Sequence, residues 1–219
     1  LAAGARSISL GLATGNGGRS YNGDGASGLY YWGAQLEAAS FASTYIPTTT
    51  ASVTRNADVL TYATTGWLNA SAGTLVVTAS APGNHAMSYG VARLIGGAPT
   101  DRINFYREAD QSGRAAIVSG GVTQALLAGS ASTWVDGAQA TLVMSWATNA
   151  GAFAIGSDTV ATDTSMSVPS GLDNLGIGTG NASEAWFSPI RRVTYFPAAF
   201  PAYLVSRVAA NGFERRVEP

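Results

Sequence analysis

The chain of 219 residues is long enough for one large or two small domains with a sizeable core. Charged residues make up 11% of it, less than half of the roughly 25% usual for soluble globular proteins, which excludes disorder driven by charge. Its 12 basic residues are all Arg, its net charge is −1 and it has no Cys, which argues against nucleic-acid binding, disulfides and thiol catalysis.

The first 38 residues predict the end of a β domain. Ser7–Leu12 alternates apolar and polar residues, and a Gly-rich loop over Thr14–Gly28 leads to an aromatic strand over Leu29–Glu37. Two or three strands cannot bury a core alone, so we expect earlier strands upstream of Leu1 or from a neighbouring subunit. Residues 39–62 follow as an extended linker with a Pro and a run of Thr.

Residues 63–198 predict an antiparallel β-sandwich. Apolar residues recur at every second position over Thr74–Ser80 and Thr141–Ala147, which is typical of half-buried strands. Shorter segments of the same kind are Asp101–Arg107, Arg114–Ser119, Ala152–Ile155, Leu175–Ile177 and Ile190–Phe196. Because Gly-rich turns separate these many short strands, the pattern favours two packed sheets.

Residues 199–219 predict a short C-terminal helix and a tail. Phe200, Leu204 and Val208 recur at i, i+4 and i+8, which is the period of a helix with one apolar face. Pro201 suits the first turn, and Asn211-Gly212 suits a C-terminal stop. We expect this helix to pack on the sandwich.

Catalytic chemistry has little support in the sequence. His85 is the only His, and it lies in a predicted turn, which favours a solvated side chain over a catalytic triad. Glycoside hydrolysis needs two carboxylates in one cleft, whereas Asp158 and Asp163 both lie near predicted turns. We therefore predict that the chain is not an enzyme.

Aromatic side chains near predicted strand ends are the candidates for ligand binding. Trp134, Trp186 and Tyr106 each offer a flat ring that could stack on a sugar face, which predicts a carbohydrate-binding site. The alternative for a Trp in a β protein is burial in the core, because its side chain carries a large apolar area.

No motif predicts a cofactor. Calcium could bridge turn carboxylates such as Asp136 or Asp173, although no EF-hand loop occurs, so the metal is unknown and a structural Ca²⁺ stays open. No apolar run approaches the about 20 residues that span a bilayer, so we expect no membrane insertion.

Three segments around the linker, Tyr30–Ala38, Phe41–Thr49 and Val53–Asp58, resemble a junction common in tailed-bacteriophage virion proteins. In that family the junction closes a carbohydrate-binding-module-like jelly roll and leads into a concanavalin A-like (laminin G-like) sandwich. Ile190–Pro197 and Val160–Thr164 resemble strands of that sandwich. The resemblance implies an all-β fold with a short C-terminal helix, preceded by the last strands of a second jelly roll.

The resemblance also implies a non-enzymatic virion component, such as a tail-fibre, tail-tip or capsid-fibre subunit on the tail or capsid surface. It implies other virion proteins as partners and host-surface polysaccharide as the ligand of the sandwich. Phage fibres are commonly trimeric, so the expected homo-oligomer is a trimer. Two alternatives stay open: a purely architectural capsid-decoration or tail-assembly protein, and a polysaccharide-degrading enzyme.

Overall fold

The chain consists of two compact units, Leu1–Asn56 and Ala57–Pro219. The computed structural model of the chain describes residues 10–13, 18, 20–36, 44–54, 60–83, 88–97, 99–130, 134–178 and 186–212.

The second unit consists of two antiparallel sheets and a helix in its described part. The elements in chain order are β1 (Leu60–Ala63), β2 (Ala72–Ser80), β3 (Tyr89–Gly96), β4 (Arg102–Arg107), β5 (Gly113–Ser119), β6 (Val122–Ala128), β7 (Gln139–Ala147), β8 (Ala150–Ile155), β9 (Ala161–Asp163), β10 (Leu172–Ile177), β11 (Ile190–Phe196) and α1 (Ala202–Asn211). One sheet has the order β1-β10-β3-β4-β5-β6, and the other has the order β11-β2-β7-β8-β9.

The inner faces of the two sheets meet in an apolar core. Leu75 on β2 and Met144 on β7 are cross-strand partners, and neither has exposed surface. Ile103 and Phe105 on β4 of the other sheet are also fully buried. Phe105 meets Phe153 on β8 edge to face, with ring centroids 6.5 Å apart, so this contact joins the two sheets. Each such side chain contributes about 1.5–3 kcal/mol by its burial.

The helix covers part of the outer face of the five-stranded sheet. Val205 and Val208 of α1 belong to a buried apolar cluster with Val76 on β2 and Val143 on β7. This part of the outer face is therefore buried beneath α1, which explains why β2 is apolar at consecutive positions as well as at alternate ones.

The ends of α1 agree with the sequence signals. Pro201 is the N-cap residue with φ −66°, and Gly212 adopts φ 66° at the C-terminal end, where its N–H donates to the Val208 carbonyl oxygen over 2.8 Å. A positive φ is accessible to Gly at no steric cost, so Gly212 ends the helix there. The short C-terminal helix predicted from sequence is confirmed.

The seven strands that alternation predicted within residues 63–198 are confirmed, and four further strands add to them. The alternating segments correspond to β2, β4, β5, β7, β8, β10 and β11. The alternation missed β1, β3, β6 and β9, although β9 lies in the segment Val160–Thr164 that resembles a strand of the family's sandwich. β1 lies within and just beyond the segment 39–62 that was predicted as a linker. In β3, a register shift between Gly90 and Ala92 buries both Val91 and Ala92, so the period of two is interrupted. All four residues of β1 are exposed, so it carries no inward and outward pattern.

The aromatic strand predicted over Leu29–Glu37 is not formed in the described residues 29–36. Trp32 is 86% exposed, and its ring lies 5.1 Å from that of Tyr45. The Ile46 N–H donates to Gln35 Oε1 over 2.6 Å, which is a side-chain contact rather than strand pairing. A strand needs a neighbour for its backbone groups, and the described part of this unit provides none. The assignment of residues 1–38 to the end of a jelly roll, whose partner strands were expected from outside these residues, stays a prediction.

Several sequence predictions lie wholly or mostly outside the described residues. These are the strand over Ser7–Leu12, the family-like residues 37–43 and 55–58, and the turn with His85.

Candidate functional site

The structure buries both Trp residues that the sequence suggested for ligand binding. Trp134 has no exposed surface, and Trp186 is 8% exposed. Their rings stack on each other with centroids 5.0 Å apart, and Trp134 Nε1 donates to the Ala138 carbonyl oxygen over 3.0 Å. Because a covered ring face cannot contact a sugar, these indoles act as core residues in this conformation. The alternative of burial is the one that the structure supports.

A buried arginine holds the Trp134 segment against the sheet. Arg107, the last residue of β4, has no exposed surface. Its Nε donates to the Trp134 carbonyl oxygen over 2.9 Å, and its Nη2 lies 2.8 Å from Asp136 Oδ1. Burying a guanidinium is costly unless it is paired, so this ion pair offsets part of that cost. Asp136, one of the two suggested calcium ligands, is thus the partner of an internal cation.

Tyr106 lies on the opposite side of β4 from the core. Phe105 points inward, so the half-buried Tyr106 faces outward from the six-stranded sheet, where Arg114 is its cross-strand partner. Burial raises the pKa of Tyr106, and the nearby carboxylate of Glu108 raises it further. The structure therefore does not bring Tyr106 together with the two Trp residues in one site.

A polar cleft of about 700 Å³ lies on the outer face of the five-stranded sheet. Its walls come from β2, β7, the turn after β8, the beginning of β11 and the C-terminal end of α1. The polar side chains in its lining are Thr78, Gln139, Thr141, Ser157, Asp158, Arg191, Arg192 and Asn211. Hydroxyl, amide and charged groups of this kind can form hydrogen bonds with a polar ligand.

The cleft begins where the helix stops covering the sheet. Val76 and Val143 are cross-strand partners and are buried beneath α1. Two positions further across the same face, Thr78 is paired with Thr141, and their Oγ1 atoms lie 2.9 Å apart. Both Thr residues are half-buried. The change from Val to Thr therefore replaces apolar contacts by hydroxyl groups where the sheet becomes open.

A β-bulge in β11 directs two arginines into the cleft. Ile190 is paired with Ala79 and Arg192 with Thr78, which leaves Arg191 as an extra residue in the strand. Neighbouring side chains of a regular strand point to opposite faces, whereas Arg191 and Arg192 are both exposed and both line the cleft. Within the described part of the chain, neither side chain forms a hydrogen bond or an ion pair.

The opposite end of the cleft carries a carboxylate. Asp158 follows β8, and its Oδ2 accepts a hydrogen bond from the Ser130 N–H over 2.9 Å. Since β2 and β7 lie between β11 and β8, the arginine side and the Asp158 side are about 14 Å apart at the usual strand spacing. Among the described residues that line the cleft, Asp158 is the one acidic side chain.

No metal site stands out in the residues that the structure describes, since no group of three or more His, Cys, Asp or Glu side chains lies close enough together to hold an ion. Asp173, the other suggested calcium ligand, accepts a hydrogen bond from Asn174 Nδ2 over 2.7 Å. None of the described helices is long and apolar enough to cross a membrane.

Sequence reasoning missed the cleft, although one signal was present. Two consecutive arginines interrupt the alternation of Ile190–Phe196. In a regular strand with one buried face, one of the two would point inward, so such a doublet favours a bulge. The Thr pair gave no such signal, because its partners lie 63 positions apart in the chain.

Comparison of sequences identifies no relative: no protein-family model matches the chain, and no curated protein matches it significantly. Comparison of folds gives clear matches. The CBM40 module of the Ruminococcus gnavus IT-sialidase superposes with a TM-score of 0.52 and 12% identity, over 65% of this chain and 85% of that chain. The chain therefore shares the β-sandwich fold of this module. The predicted all-β antiparallel sandwich with one short helix is confirmed.

Two further neighbours share this fold. The NanB sialidase from Streptococcus pneumoniae gives a TM-score of 0.52 with 18% identity, over 68% of this chain and 25% of that chain. A native heptameric SAP-like pentraxin from Limulus polyphemus gives 0.50 with 15% identity, over 66% of this chain and 73% of that chain. Because proteins with one fold can have unrelated functions, the function has to be argued from the cleft.

Proposed function

We propose that the sandwich is a non-catalytic glycan-binding domain whose cleft holds an oligosaccharide. The observation that carries this proposal is the cleft of about 700 Å³ with its lining of hydroxyl, amide and charged side chains. This volume lies within the range of roughly 300–1,000 Å³ that is typical of small-molecule sites. A saccharide presents many hydroxyl groups, which match such a lining better than an apolar ligand would.

The choice of ligand class has support from one fold neighbour. The Ruminococcus gnavus CBM40 module, which superposes with a TM-score of 0.51 and 12% identity, was determined bound to α2,3-sialyllactose. This supports a saccharide as the ligand of the present chain and says nothing of where it binds.

The carboxylates of the cleft support a non-catalytic role. Glycoside hydrolysis commonly uses two carboxyl groups about 5–10 Å apart across the scissile bond. Asp158 is the one carboxylate among the described lining residues, and its Oδ2 is already bound by the Ser130 N–H. The described lining of the cleft therefore lacks the usual pair, so we propose binding without hydrolysis.

Retention on glycans together with an assay for hydrolysis tests this function. The full chain is applied to an array of neutral and acidic oligosaccharides of two to six sugars, and newly formed reducing ends are measured in parallel. We expect retention without new ends. New ends would contradict the non-catalytic role, and no retention on any glycan would contradict glycan binding.

A double substitution locates the binding at the cleft. Thr78→Val with Thr141→Val removes both hydroxyls of the bonded pair, so neither is left unpartnered, and Val is a good strand residue. We expect the double variant to remain folded and to lose at least tenfold in glycan affinity, the effect of about one or two lost hydrogen bonds. Thr123→Val on the exposed face of β6 is the matched control and is expected to bind like the parent chain.

A second candidate function, assembly within a phage virion, has support from the first unit. The side chains of Tyr30, Trp32 and Leu36 are largely exposed, and exposed apolar residues of this size mark protein–protein contacts in many proteins. With the resemblance to tailed-phage virion proteins, this supports a homo-oligomeric particle component, trimeric by analogy, whose sandwich contacts host-surface polysaccharide.

The mass of the chain in solution tests the assembly role. Light scattering is expected to give three times the chain mass of 22.3 kDa, and Tyr30→Ser with Trp32→Ser is expected to shift it toward one. A monomeric parent chain would contradict the oligomer and would leave the glycan-binding proposal to its own test.

A further inference from the structure

We infer that the cleft selects oligosaccharides with an isolated acidic group, a carboxylate or a sulfate, which binds between Arg191 and Arg192. This inference rests on the proposed glycan-binding function and names the ligand class. It also predicts that densely charged polysaccharides bind less well, because the other end of the cleft carries Asp158.

The bulge in β11 is the first step of the argument. It brings two consecutive arginines into the lining of the cleft, where a regular strand would present only one. Two adjacent like charges repel, so an anion between them is favoured over a neutral group. A guanidinium also forms paired hydrogen bonds with carboxylate and sulfate oxygens, in a geometry that Lys does not offer.

The lack of a counterion for Arg191 and Arg192 among the described residues is the second step. Two other arginines of the described chain form ion pairs: Arg107 with Asp136 at 2.8 Å, and Arg114 with Asp110 at 3.0 Å. Arg191 and Arg192 have no such partner in the described residues, and both are exposed to solvent in the cleft. Their hydrogen-bonding groups are therefore available to an external anion.

The position of Asp158 is the third step. It lies about 14 Å across the sheet from the arginine wall, with the hydroxyl groups of Thr78 and Thr141 between them. An acidic sugar at the arginine wall would thus be followed by neutral sugars over the Thr pair. A second anionic group at the far end would approach the carboxylate of Asp158 and be repelled. Selectivity for the spacing of charges follows from this arrangement.

Four matched tetrasaccharides test the inference on the full chain. One carries a single terminal uronate, one is the same molecule with the carboxyl reduced to an alcohol, one carries a single terminal sulfate instead, and one is a heparin-derived tetrasaccharide with sulfate on every disaccharide. We expect the single-acid ligands to bind ten- to one-hundredfold more tightly than the reduced ligand, as is usual for hydrogen bonds to a charged group. The heparin fragment should bind more weakly than either single-acid ligand.

Three charge substitutions assign the effect to residues. Arg192→Gln and Arg191→Gln are each expected to lower the affinity for the uronate at least tenfold and to lower that for the reduced ligand by a clearly smaller factor. Asp158→Asn is expected to raise the affinity for the heparin fragment. Arg207→Gln, at an exposed position of α1 outside the cleft, is the matched control and should change nothing.

The possible failures are distinguishable. If none of the four ligands binds, the proposed glycan-binding function fails and this inference fails with it. If the uronate and its reduced form bind equally, glycan binding stands and the acid selectivity is refuted. Arginines on an edge strand can also serve only to prevent sheet-to-sheet aggregation, and aggregation of Arg191→Gln with unchanged ligand affinity would overturn the inference in favour of that role.

Discussion

The replacement Trp134→Ala separates a core role for this indole from a binding role. Trp134 is fully buried, stacks on Trp186 at 5.0 Å and donates a hydrogen bond to the Ala138 carbonyl oxygen. Truncating a buried Trp to Ala costs about 3–5 kcal/mol, including the cavity that is left. The aromatic pair adds about 0.5–1.5 kcal/mol to simple burial, so a loss of about 4 kcal/mol is expected.

Urea unfolding followed by circular dichroism measures this loss. With a denaturant slope of about 2 kcal/mol per M, a loss of about 4 kcal/mol lowers the midpoint by about 2 M urea. Tyr203→Ala on α1 is the control, because its side chain is 67% exposed and its loss should change stability by less than about 0.5 kcal/mol.

A small midpoint shift would refute the reasoning. If Trp134→Ala unfolds within 0.3 M of the parent chain, roughly 0.6 kcal/mol at the same slope, the indole is not held in a packed core. If that variant also loses glycan retention, the original expectation of a stacking residue would be restored.

Three further predictions concern stability. Asp136→Ala is expected to lower the free energy of unfolding in urea by about 3 kcal/mol, because it leaves the buried Arg107 without its carboxylate. Arg107→Met is expected to cost less, because the Asp136 that remains is 34% exposed and can reach water. An equal or reversed order of the two losses would contradict this reasoning. Gly73→Ala is expected to cost about 1–3 kcal/mol in the same assay, because the added Cβ would lie 2.6 Å from Trp146 Cζ2; an unchanged midpoint would show that the ring moves freely. Burial raises the pKa of Tyr195, so the folded state holds the phenol proton more tightly than the unfolded state does. The free energy of unfolding should therefore be highest below about pH 10, the pKa of an unfolded Tyr, and should fall as the pH rises from there through the raised pKa of Tyr195 in the folded state. Because the chain has no Lys and no Cys, the pH dependence of urea unfolding between pH 9 and 11 reports on its tyrosines. Tyr195→Phe should make the loss of stability over this range smaller. An unchanged loss would show that another group causes it.

The candidate site could not be predicted in the same way as the fold. The aromatic side chains Trp134 and Trp186 were reasonable binding candidates from their places near strand ends, yet both are buried. Burial of a Trp depends on which segments pack on it, and Trp134 stacks on a residue more than fifty positions away. Arg191 and Arg192 were not among the binding candidates, although their charged doublet within a predicted strand was visible in the sequence. That both side chains line the cleft depends on the bulged register of β11 with β2, which the sequence does not show.

The sequence by itself determined the local structure of this protein. Alternation of apolar and polar residues predicted seven strands of the sandwich, because every second side chain of a strand faces the core, and the i, i+4, i+8 spacing with Pro201 and Gly212 predicted α1. Only the tertiary structure decided which indoles are covered, that residues 29–36 have no strand partner in the described part of the chain, and that two arginines and a Thr pair share one cleft. The physical reason is that periodicity reports which face of an element is apolar, whereas a cleft is made by strands and a helix end that the chain brings together from distant positions.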